Sequence, residues 1–134
     1  MKKLTIKKDV YEGVTESPHF PVVIDYEGCH VEIEDLYFGN IRTLSDSILN
    51  WERLRTGEVH LDAGSRFSAT LSLNSHGALV IRFRAEPTPF PGRLFLEGSF
   101  IIDGEYTGQY LMKFVKLINE GETLNIEQRH EGGP

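Results

Sequence analysis

Two short runs in this chain set imidazole and carboxylate side chains at alternate positions. "CHVEIE" carries His30, Glu32 and Glu34 at i, i+2 and i+4, and "EVHLD" repeats the pattern with Glu58, His60 and Asp62. Alternate residues of a strand project from one face. A strand at each run would therefore display a polar row of histidine and acids. If the two rows converged, His30, Glu32, His60 and Asp62, flanked by Glu34 and Glu58, would offer the nitrogen and oxygen donors that suit zinc, iron or manganese. The alternative is a solvated strand face, because Val31 and Ile33, like Val59 and Leu61, take the opposite, core-facing positions. Both readings stand at this point.

A second acidic pair, Asp103 and Glu105, lies where the apolar run "FII" gives way to "DGEYTGQYLMKFVKLINEG". Asp103 is placed to cap a helix, and Glu105 falls in the first turn, where the helix dipole favours negative charge. General acid/base work by this pair would also need a substrate-holding group and a burial-shifted carboxyl, and no motif supplies either. The chain has no G-x-S-x-G elbow, P-loop or G-x-G-x-x-G, and Cys29 is expected to face the core, so nucleophilic or nucleotide chemistry has little support. No catalytic residue and no cofactor is assigned. Phe90, between prolines in "EPTPFPG", is a candidate to plug a partner's pocket or to fold back over the sheet edge.

The elements that hold these residues are mainly strands. Phe67, Ala69, Leu71 and Leu73 alternate with polar residues, as do Leu79, Ile81 and Phe83, and the intervening turn spans Asn74 to Gly77. A second hairpin runs Val22, Ile24 and Tyr26 into a Glu27-Gly28 turn and back through Cys29, Val31 and Ile33. Further strands fit 58–63 and 93–103, with a weaker candidate in "KLTIKKDVY". Two stretches instead show helical spacing. In "TLSDSILNWERLRTG", Thr43 is the expected N-cap with Asp46 three positions on, Leu44, Ile48 and Trp51 form the apolar stripe, and Gly57 is the expected terminator. From about Glu105 to Glu120 the stripe is Tyr106, Tyr110, Phe114, Leu117 and Ile118, widened by Leu111 and Val115, with Gly121 at its end. The expected fold is α+β: a curved, mainly antiparallel sheet of about six or seven strands with two helices packed on one face. It forms a single domain over 1–134, with 1–20 and 122–134 peripheral or frayed.

Composition bounds the function. The 134 residues are 40% hydrophobic and 25% charged with a net charge of −6, which fits one globular domain. An acidic chain whose lysine pairs are confined to 2–3 and 7–8 is a poor match for nucleic acid and a better one for a basic protein. No run reaches a membrane span, and the absence of an apolar signal segment together with a lone cysteine leads to the expectation of a cytoplasmic protein.

The order "LNWERLRTGEVHLD", "FSATLSLNSHGALVIRF" and "FIIDGEYTGQYLMKFVKLI" resembles small bacterial immunity proteins of polymorphic toxin systems, of the wall-associated-toxin immunity type and its uncharacterised relatives. The resemblance spans roughly residues 30 to 120 and rests on Trp51 in a helix, Gly77 in the hairpin turn and Asp103 before the last helix. It implies a non-enzymatic protein that blocks a toxin by binding it. On that reading a sheet face displaying Glu32, Glu34, Glu58 and Asp62, with Arg66, Arg82 and Arg84 nearby and Phe90 in its loop, would meet a basic toxin domain. The other function class is a metal- or small-ligand-binding β-rich protein.

Overall fold

The computed structural model describes residues 2–9, 18–86 and 95–128. Alternation of apolar and polar residues produces eight strands among them: β1 (Lys2–Ile6), β2 (Val22–Tyr26), β3 (Cys29–Ile33), β4 (Val59–Asp62), β5 (Phe67–Leu73), β6 (Leu79–Ala85), β7 (Leu96–Ile102) and β8 (Leu124–Gln128). Two helices, α1 (Ile41–Leu54) and α2 (Thr107–Glu120), complete the α+β fold. The strands divide into two antiparallel sheets of four, ordered β3-β2-β1-β8 (sheet 1) and β4-β5-β6-β7 (sheet 2). The division falls where a helix interrupts the strand succession, α1 between β3 and β4 and α2 between β7 and β8.

Both hairpins owe their register to turn chemistry. Glu27 and Gly28 both have positive φ, 52° and 83°, which is the type I′ geometry that matches strand twist and sets Asp25 opposite His30. In the β5–β6 turn the Asn74 side-chain oxygen accepts the N–H groups of His76 and Ala78 at 2.9 and 3.0 Å, while Gly77 takes φ 78°.

Two of the segments expected to be peripheral or frayed, Lys2–Ile6 and Leu124–Gln128, form strands of sheet 1. β1 lies inside sheet 1, between β2 and β8, and Leu4, Ile6, Leu124 and Ile126 are all buried in the core. Each strand contributes only two core residues, so its alternation is too short to stand out in the sequence. It is their mutual pairing, Leu4 opposite Ile126 and Ile6 opposite Leu124, that makes them stable. The residues 129–134, expected to fray, lie outside the described residues.

One hydrophobic core joins both sheets and both helices. Leu44, Ile48 and Trp51 form the buried stripe of α1, and the Trp51 indole N–H donates to the Gly57 carbonyl at 2.9 Å. The helix begins at Ile41, ahead of the expected Thr43 cap. The preceding Asn40 makes no side-chain cap bond; its amide Nδ2 donates to the His60 carbonyl and holds the side chain against β4. The helix also ends earlier than Gly57: Arg55 takes the left-handed conformation at φ 57° and donates its N–H to Trp51 O. α2 packs against α1, and Ser45 Oγ to Asn119 Oδ1 at 2.8 Å ties them. Its buried residues are Thr107, Leu111, Phe114, Val115, Leu117 and Ile118; Tyr110 is half-buried and Tyr106 is exposed. Gly121, at φ 74°, closes it with paired bonds from its own N–H to Leu117 O and from Glu122 N–H to Lys116 O.

Tyr26 spans the seam between the sheets. Its ring meets Phe83 and Phe100 edge-on, with centroids 5.2 and 5.8 Å away, and its hydroxyl accepts the Ser99 N–H at 3.1 Å. Gly98 lies directly against this ring: a Cβ there would stand 2.4 Å from the ring carbon that bears the hydroxyl. No helix among the described residues is long and apolar enough to cross a membrane.

Candidate partner-binding surface

The two His-and-acid rows fall in different sheets. β3 is an edge of sheet 1 and β4 an edge of sheet 2, so the strands carrying His30 and Glu32 and those carrying His60 and Asp62 do not pair. Among the described residues no group of three His, Cys, Asp or Glu side chains is placed to hold a metal ion. The metal reading of His30, Glu32, His60 and Asp62 is corrected accordingly. His30 is already engaged on both ring nitrogens, Nδ1 with Asp25 at 2.5 Å and Nε2 with Glu32 at 3.2 Å. His60 is held by Thr70 at 3.2 Å and approached by Glu58 at 3.7 Å. One oxygen of Asp62 accepts the Gly64 N–H at 2.9 Å, an arrangement that shapes its turn.

Sheet 1 carries the denser acidic group. Asp25 faces His30 across the β2–β3 ladder, and Glu32 follows two residues on along the same face. Hydrogen bonding to Asp25, and secondarily to Glu32, raises the His30 pKa above its usual 6.5. Glu34 continues the row and is exposed. Among the described residues, no lysine or arginine lies within ion-pair distance of Asp25, Glu32 or Glu34. A shallow recess of about 140 Å³ beside Glu32 and Glu34 is also lined by Lys7 and Thr5.

Asp25 was missed as a member of this group in the sequence. The signal was present, since a two-residue turn at Glu27-Gly28 places residues 26 and 29, and then 25 and 30, opposite each other. Cys29 was assigned to the core and is instead exposed, because it stands at the hairpin end of β3, beyond the cover of the core. His19 is buried, bridges to Asp9 across an isolated pair and lies 3.6 Å from its carboxylate.

The outer face of sheet 2 has another chemistry. Arg82 reaches Ser72 Oγ at 3.3 Å, while Arg84 lies 3.7 Å from Glu97 and stacks its guanidinium 4.5 Å from the Phe95 ring centre. With Ser68, Thr70 and Ser99 they border an open basin of about 470 Å³. Phe90 lies outside the described residues.

Asp103 does not cap with its side chain. A single 3₁₀ turn over Gly104–Tyr106 intervenes before α2, and the Tyr106 N–H is taken by the Asp103 backbone carbonyl at 2.9 Å. Asp103 and Glu105 are both exposed, Glu105 within that turn. Trp51 is 4% exposed. No family model, curated protein or solved structure matches the chain.

Proposed function

We propose that this chain is a non-enzymatic binding protein that docks onto a partner with a basic surface and, more narrowly, that it is an immunity protein neutralising a toxin domain by occupying it. The observation that carries the reading is the exposed group of Asp25, Glu32 and Glu34 on sheet 1, whose only ion-pair partner among the described residues is His30. Carboxylates left without lysine or arginine partners on a chain of net charge −6 project a negative field, and such a field accelerates encounter with a cationic protein. The resemblance to toxin-neutralising immunity proteins supports the narrower reading.

Glu58 and Asp62 take a secondary place, since Asp62 lies on β4 of sheet 2 with Glu58 just before it, and both are partly engaged, Glu58 near His60 and Asp62 with Gly64 N–H. The test is co-expression with a toxin-like product of the adjacent gene, followed by association kinetics at low and high salt. The parent complex should form more slowly as salt rises, because exposed charges are screened over about 8–10 Å at physiological ionic strength. Glu32→Gln/Glu34→Gln should slow association severalfold, and Glu58→Gln/Asp62→Asn should change it less. A complex whose association ignores both salt and the Glu32/Glu34 substitutions would remove the acidic surface from the interface. Failure to form any complex would remove the immunity reading.

A further inference from the structure

We propose that the free edge of β3 accepts an extended, basic segment of a partner polypeptide as an added strand of sheet 1. This rests on the reading above that the partner is a basic protein, and adds how it is held. An edge strand presents unpaired N–H and C=O groups, and proteins commonly cover or block them. Here the edges of sheet 2 are covered by specific groups. On β7 the outward N–H groups of Ser99 and Ile101 are taken by Tyr26 Oη at 3.1 Å and Gln128 Oε1 at 2.8 Å. On β4 the outward carbonyls of His60 and Asp62 accept Asn40 Nδ2 at 2.7 Å and Gly39 N–H at 2.9 Å. β8, the far edge of sheet 1, lies alongside β7.

Among the described residues β3 has no such cover. The type I′ turn makes Tyr26 and Cys29 a mutually bonded pair, and alternation then directs Val31 and Ile33 toward β2. The N–H and C=O of His30 and Glu32 consequently point away from the sheet, and no backbone or side-chain group among the described residues meets them. Cys29, His30 and Glu32 are exposed and Val31 is buried at 8% exposure.

The side chains define what fits. A strand added beside β3 would set alternate residues next to His30 and Glu32, about 4.5–5.5 Å between Cβ atoms, where lysine or arginine is favoured and a like charge is opposed. Its other residues would lie beside Val31 and Cys29, where small apolar side chains suit. A second copy of this chain is a poor occupant, since joining two β3 edges would crowd Asp25, Glu32 and Glu34 of both molecules, each of net charge −6. The same charges thus discourage self-pairing and admit a cationic strand.

The experiment follows the backbone amides of His30 and Glu32 by hydrogen exchange and chemical shift in the full chain. Three short synthetic peptides serve as probes: alternating lysine and valine, alternating glutamate and valine, and the lysine–valine peptide N-methylated along one edge so that this edge cannot donate. The lysine–valine peptide should slow exchange at both amides severalfold, and the other two should not. A Glu32→Pro variant, which removes an outward N–H while sparing the β2 ladder, should lose the response; if it fails to fold, the N-methylated peptide decides. The proposal is overturned if the lysine–valine peptide leaves both amides unchanged, or if concentrating the protein alone protects them. It is equally overturned if the N-methylated peptide binds as well, a result that would leave charge-driven docking intact while excluding strand addition.

Discussion

Sheet 1 and sheet 2 have the same strand count and are both antiparallel, yet they treat their edges differently. At both edges of sheet 2, groups from elsewhere in the chain take outward backbone groups: Tyr26 and Gln128 on β7, Gly39 and Asn40 on β4. Sheet 1 leaves β3 uncovered among the described residues and lines it with His30, Glu32 and Glu34. The difference teaches that closure and charge are separate ways to protect an edge. Closure forbids every partner, whereas charge forbids only those of like sign.

Substitutions on the closed side should be the most damaging. Trp51 anchors α1, the helix beside β4, and its indole also holds the Gly57 carbonyl. Trp51→Ala should cost about 3–5 kcal/mol, enough to unfold a domain of this size. Because Trp51 is the only tryptophan, native emission should be blue-shifted and poorly quenched, and red-shifted, quencher-accessible emission would contradict its burial. Next in size is Gly98→Ala, whose new methyl would overlap the Tyr26 ring and push it out of the seam, at about 1–3 kcal/mol. Unchanged denaturant unfolding for that variant would mean the seam is loosely packed. Tyr26→Phe keeps the ring packing and removes only the oxygen that accepts Ser99 N–H, for roughly 1 kcal/mol. It should also speed exchange at the Ser99 amide beyond what the stability loss explains.

The smallest effect belongs to the open side. The folded-state pKa of His30 is raised, so its contribution is fully present below the unfolded value near 6.5 and is lost as pH rises through the folded value. The melting temperature of the parent relative to His30→Gln should therefore be highest below about pH 6 and converge with it at alkaline pH. A difference independent of pH would show that the carboxylate contacts of His30 do not depend on its protonation.

Legibility in the sequence followed the range of the interactions. Both glycine-turned hairpins and the buried stripes of both helices were readable, because turn residues and periodicity are local. β1 was readable only weakly, in "KLTIKKDVY", and β8 was not, as two apolar residues apiece gain meaning only when Lys2 to Ile6 pairs with Leu124 to Gln128 across nearly the whole chain. Helix starts were displaced where a long-range contact orients the preceding residue, as the Asn40 amide is held to β4, or where a 3₁₀ turn shifted the start, as after Asp103. The acidic residues of the candidate surface were readable as exposed strand positions. Their grouping was not, because strand order separated Glu58 and Asp62 from Glu32 and Glu34 and brought in Asp25.

The contrast between a closed and an open edge can be measured on the free protein by amide hydrogen exchange, residue by residue. Ser99 and Ile101, each bonded to a side chain, should exchange slowly, while His30 and Glu32 should exchange at rates close to those of an unstructured chain although their neighbours Val31 and Ile33 are protected. Protection at His30 and Glu32 equal to that at Ser99 and Ile101 would contradict the account, because the β3 edge would then be covered in the unbound molecule.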